Sequence, residues 1–158
     1  MIFINPQWQG SGFTDDLKVG AETFISYFKD SETTIIPLST KPLTTINNIK
    51  CFEPILEQTK LFKEIISNSK LDKLSVIGGD CGIEVIPISY LNKIYQEDIG
   101  VIYIDAHADL NTRKAPKQNI SWNAITNAIG RGKPGIYWLT VFKTEPTTNM
   151  FCWIEGLR

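Results

Sequence analysis

Residues 99–109 read IGVIYIDAHAD, six uncharged positions followed by two aspartates and a histidine spaced by single alanines. A run this apolar marks a strand buried on both faces, and such strands belong to parallel sheets covered by helices. Working outward, residues 74–77 form a second compact apolar run that ends at Gly78-Gly79, and residues 83–95 read as a helix. Between residues 53 and 69, Ile55, Leu56, Leu61, Phe62, Ile65 and Ile66 recur near helical spacing. Residues 33–38 are β-branched and short, which predicts a strand. Residues 1–5 predict a first strand ended by Pro6. Between them, a Gly10-Ser11-Gly12 loop and Asp15-Asp16 lead into a helical pattern through Ala21, Phe24, Ile25 and Phe28. Strands that alternate with helices in this way predict an α/β fold with helices on both faces of a parallel sheet.

The 158 residues suffice for one domain, and 42% hydrophobic against 21% charged residues excludes a disordered chain. No apolar run approaches the roughly 20 residues of a membrane span, so no membrane partner is expected. The first residues lack the pattern of a secretory signal. Three dispersed cysteines, Cys51, Cys81 and Cys152, argue against a disulfide scaffold and for a reducing, cytoplasmic location. The net charge of −1 conceals an asymmetry. Residues 1–112 hold 15 acids against 9 lysines and no arginine. Residues 113–158 hold 7 bases against Glu145 and Glu155, with all three arginines and three of the four tryptophans. Two compositions meet near residue 112.

In parallel sheets, chemistry collects beyond the carboxyl ends of the strands. Two expected strands end in capable residues there: Gly78-Gly79-Asp80-Cys81, and Asp105 to Asp109. In extended chain Asp105, His107 and Asp109 point to one side, and the alanines between them leave room to converge. Two carboxylates and an imidazole suit manganese, magnesium or zinc, and a carboxylate between two ions can bridge them. The alternative for the same residues is a solvated strand-to-loop turn. Cys81 has three readings: a small apolar thiol at the start of a helix, a metal ligand, or a thiolate activated by the helix terminus.

These residues resemble the arginase/agmatinase (ureohydrolase) family. The likeness rests on Gly-Gly-Asp-Cys at 78–81 and on Asp-Ala-His-Ala-Asp-Leu-Asn-Thr at 105–112 after an apolar strand. Pro6-Gln7-Trp8-Gln9-Gly10 and Gly20-Ala21 resemble one bacterial branch of it. The resemblance implies a three-layer α/β/α sandwich and a dinuclear manganese centre that hydrolyses a guanidino or linear amidine carbon. Carried over, Asp105 bridges both ions, while His107 and Asp109 bind one each. Cys81 stands where the family usually has a histidine ligand, and a thiolate favours zinc or iron over manganese. The implied substrate is a small guanidino or amidine compound, and a homo-oligomer is left open.

The resemblance covers residues 1–112, so the fold is expected to be incomplete: an amino-terminal part at 1–112 and an unrelated tail at 113–158. The family's His-Gly-Met-Pro segment, whose histidine shuttles protons, aligns with residues 119–124, which places Ser121 at the histidine and leaves no shuttle residue. No aspartate follows Asp109, so the family's second Asp-x-Asp motif has no counterpart. A reading-frame shift accounts for the change. Codons for residues 120–132 exist whose reading one base to the right gives Phe-His-Gly-Met-Pro-Leu-Arg-Thr-Leu-Leu-Gly-Glu, then Gly. Residues 145–158 can likewise encode Asn-Pro-Gln-Gln-Ile-Cys-Phe-Val-Gly-Leu-Arg-Asp-Leu. Tryptophan has a single codon, so Trp122 before Asn123 and Trp153 before Ile154 force glycine in the shifted frame, where the family has glycine.

The tail's basic residues and tryptophans would otherwise point to nucleic acid; as an out-of-frame peptide it predicts no nucleic-acid partner. The expected function is an arginase-like metallohydrolase lineage, with this chain inactive. The alternatives are a non-catalytic remnant or interaction module, and a thiol hydrolase using Cys81 with His107 and Asp105.

Overall fold

The computed structural model describes residues 1–11, 14–46, 49–96, 98–101, 138–141 and 151–154. Three parallel strands, β1 (Ile2–Asn5), β2 (Thr33–Ile35) and β3 (Ser75–Gly78), lie in the order β2–β1–β3. Phe3 is aligned with Thr34 on one side and Val76 on the other. As the central strand, β1 is buried on both faces, and the consecutive Phe3 and Ile4 are fully buried.

Between the strands run α1 (Asp16–Thr23), α2 (Phe52–Ser69) and, after β3, α3 (Val85–Ile94). The path steps one way from β1 to β2 and back across β1 to β3. Right-handed crossovers therefore set α1 on one face of the sheet and α2 on the other. In accord, α1 packs on β1 and β3 while α2 packs on α3. This is the expected α/β architecture with helices on both faces of a parallel sheet.

The core between the sheet and α2 and α3 gathers Phe3, Ile36, Phe62, Ile66 and Ile86. The rings of Phe3 and Phe62 meet edge to face, 5.7 Å between centroids. Helix α2 follows from its apolar spacing: Ile55, Phe62 and Ile66 form one buried stripe. Leu56, one residue off that stripe, is exposed. Pro54 is tolerated because it lies in the first turn, where its missing N–H has no helical acceptor. Lys70 ends the helix in the left-handed conformation, at φ 51°.

Three boundaries differ from the sequence expectation. The helical pattern to Phe28 is α-helical only to Thr23 and continues as a 3-10 turn, Phe24–Phe28, with no buried residue. There Thr23 Oγ1 donates to the Val19 carbonyl and Ser26 Oγ to that of Thr23, side-chain bonds that compete with the regular helical ladder where no residue is fully buried. Strand β2 stops at Ile35 instead of reaching residue 38. Ile36 N–H still donates to Ile4 O at 2.8 Å, but the next rung, from residue 6 of the central strand's continuation to Ile36 O, is missing because Pro6 has no N–H. The helix expected at 83–95 begins as a 3-10 turn, Cys81–Glu84, before α3. Of the strand expected at 99–104, residues 102–104 lie outside the described residues.

Within the tail, β4 (Trp138–Val141) and β5 (Phe151–Ile154) pair antiparallel, with Trp138 opposite Ile154 and Val141 opposite Phe151. Among the described residues no helix is long and apolar enough to cross a membrane.

Candidate functional site

Strands β1 and β3 stay joined beyond their ends. Gly79 N–H donates to Asn5 O at 3.1 Å and Asp80 N–H to Gln7 O at 2.8 Å, so the two loops leave the sheet together. The glycines are steric requirements of this approach. A Cβ on Gly79 would lie 1.8 Å from Gln7 O, and one on Gly78 would lie 1.6 Å from Ile83 Cδ1.

Asp80 lies between the two loops and is 4% exposed. Its Oδ1 accepts from Gln7 Nε2 at 3.0 Å and from Gly82 N–H at 2.9 Å, while Oδ2 accepts from Gly10 N–H at 2.7 Å. The Gly82 bond caps the 3-10 turn that carries Cys81. Burial pushes the Asp80 carboxyl above its ordinary range; the donors from Gln7, Gly10, Gly82 and Ser11 oppose that shift without cancelling it.

Beside this junction is a cavity of about 230 Å³ whose lining includes Gly78, Gly79, Asp80, Cys81 and Glu84. Cys81 is half-buried and in no disulfide, as is the buried Cys51. In a 3-10 turn, residues three apart are eclipsed, which sets Cys81 and Glu84 on one side. Asn5, which ends β1, is fully withdrawn from solvent, and its Oδ1 has no hydrogen-bond partner.

Of the site residues expected from sequence, Cys81 is placed at the carboxyl end of β3, against the cavity. Asp105, His107 and Asp109, and the aligned Ser121, lie outside the described residues. Among the described residues no group of three or more His, Cys, Asp or Glu side chains is arranged to hold a metal ion. The sequence places Asp80, Gln7 and Gly10 inside recognisable motifs but assigns none of them a role of its own, and it does not point to Glu84. Their signal was indirect: a glycine pair before an aspartate, and a glycine-rich loop after β1.

The model of the arginase family matches residues 22–134, more than half of the chain. The chain belongs to the arginase family. The match runs past the change in composition at residue 112. Among curated relatives, this family member is 33% identical over 89 residues to an arginase of Staphylococcus aureus, covering 54% of this chain and 29% of that protein. It is 33% identical over 100 residues to an arginase of Emericella nidulans, covering 60% of this chain and 28% of that one. Among solved structures, an Entamoeba histolytica arginase in complex with L-ornithine superposes with a TM-score of 0.68 at 16% identity. That match covers 90% of this chain and 57% of the Entamoeba chain. The chain thus spans under a third of the length of the two curated arginases it matches.

Proposed function

We propose that this chain carries the amino-terminal part of an arginase-like metallohydrolase acting on a guanidino or linear amidine C–N bond. The observation that supports it most is Cys81, which lines a cavity beyond the carboxyl end of β3, next to an Asp80 bonded by the loop from β1, in a chain of this family. In this reading Asp105, His107, Asp109 and Cys81 would hold the divalent ions. A thiolate and a carboxylate on one cavity fit a cation of borderline softness, so zinc or iron competes with the family's manganese. Bound there, the ions supply an activated water near neutral pH and charge to stabilise a tetrahedral centre.

The chain's own residues do the positioning. The loop at residues 7–11 closes one side of the strand ends, and the backbone bonds of Gly79 and Asp80 fix the direction in which β3 delivers Cys81. Residues 113–158 are the family's continuation read out of frame. The product therefore lacks the shuttle histidine and the second aspartate pair, and it is inactive. Urea release from arginine, agmatine or guanidinobutyrate, assayed on the purified chain loaded with manganese or zinc, tests this. No release is expected from the chain as it is, and release is expected from a frame-restored version. Activity in the 158-residue chain overturns the inactivity, and a genomic read across codons 112–121 without a His-Gly-Met-Pro frame overturns the shift.

One observation favours the second reading, a non-catalytic interaction module: the tail contains the paired strands β4 and β5. Slow amide hydrogen exchange at residues 138–141 and 151–154 supports that module, and exchange at the rate of open chain removes it.

A further inference from the structure

Among the described residues Asp80 is the buried carboxylate, and the partners it shows are amide donors from two loops that are 70 residues apart in sequence. A buried carboxylate is costly to desolvate, so a purely mechanical tie between loops would be met more cheaply by an amide. An amide fails here for a specific reason. Both Asp80 oxygens accept, Oδ1 from Gln7 and Gly82 and Oδ2 from Gly10. In asparagine one oxygen becomes an NH₂ group, which sets donor against donor at Gly10 or at Gly82. Only an acceptor at both positions ties the β1 loop and the turn bearing Cys81 in one geometry. The Gly10 contact leaves no latitude, because a Cβ there would lie 2.6 Å from Asp80 Oδ2.

We propose that Asp80 is a positioning residue: its carboxylate latches the loop at residues 7–11 to the 3-10 turn Cys81–Glu84 and so sets the Cys81 thiol against its cavity. The latch rests on the reading of that cavity as part of the site. It predicts that loss of the carboxylate frees Cys81 selectively, leaving the core around Phe3 and Phe62 closed.

Site-resolved alkylation of the full chain with iodoacetamide, read by peptide mass spectrometry, tests this, with buried Cys51 as the internal gauge of general loosening. In Asp80→Asn, Cys81 is expected to react about tenfold faster while Cys51 keeps its rate, the signature of a local opening. Equal acceleration at both cysteines, or no change at Cys81, overturns the latch. Should Asp80→Asn fail to fold, Gln7→Met decides, because it removes one donor and leaves the backbone donors in place. A rise of about threefold at Cys81 alone supports the latch, and an unchanged rate overturns it. Protection of wild-type Cys81 by zinc or manganese is read separately. Its absence overturns the metal reading of Cys81, whereas the latch stands or falls on the alkylation rates of the variants.

Discussion

Asp80 Oδ2 accepts the Gly10 N–H at 2.7 Å across 70 residues of sequence. That bond joins the first loop of the chain to the turn after its third strand. A second pairing at the same junction, Asp80 N–H to Gln7 O, brings the two backbones so close that a Cβ at residue 79 would meet Gln7 O.

The first prediction follows from that closeness. In Gly79→Ala the new methyl would lie 1.8 Å from a backbone carbonyl, which cannot swing aside as a side chain does. In Gly78→Ala the obstacle is the flexible end of Ile83. Gly79→Ala is therefore expected to cost about 3 kcal/mol, the upper end of overpacking, and Gly78→Ala about 1 kcal/mol. Urea midpoints at unchanged slope measure both, and equal losses would remove the distinction.

These junction residues show where sequence reading stops. Helix α2 is legible because Ile55, Phe62 and Ile66 repeat within one element, where period and burial coincide. The parallel sheet is legible because short apolar runs alternate with such patterns. Asp80 stands inside a recognisable motif, yet its role depends on donors 70 and 73 residues away, which no local period encodes. The 3-10 turn at Phe24–Phe28 has the aromatic spacing of a helix, yet none of its residues is fully buried. The Asp105, His107 and Asp109 constellation falls outside the described residues, so of the candidate site the structure places Cys81.

Gln58 yields the second prediction. It is 1% exposed on α2, and both its Oε1 and Nε2 lack partners. It lies one turn before Phe62, on the core stripe. Unpaired buried amide atoms each cost free energy that an apolar side chain of similar shape does not incur. Gln58→Met is expected to stabilise the fold by about 1–2 kcal/mol in urea titration. A loss of stability instead would show that a buried water satisfies the amide.

The Phe3–Phe62 edge-to-face contact supports a third. Phe62 is 1% exposed and couples α2 to the central strand. Phe62→Ala removes the ring and leaves a cavity beneath β1, at an expected cost of about 3–5 kcal/mol. Phe62→Leu retains most of the volume and should cost roughly half as much. If the two variants have the same denaturation midpoint, the ring is not the link between helix and sheet.

The last prediction concerns pH. Burial raises the Cys51 thiol above its ordinary value of 9.0, with the Lys50 charge opposing the shift only in part. A thiol raised on folding contributes stability that is full below the unfolded value and is lost as pH rises through the folded one. Unfolding free energy should therefore be insensitive to Cys51 through the neutral range and decline as pH rises through 9.0, where the unfolded thiol ionises ahead of the folded one. Lysines and tyrosines titrate in the same window, so the comparison is a difference. Between about pH 8 and 10 Cys51→Ala should lose less stability than wild type, because its alanine has no proton to release. Urea midpoints of both chains at several pH values give that difference, and parallel curves would show that the Cys51 thiol titrates alike in the folded and unfolded chain.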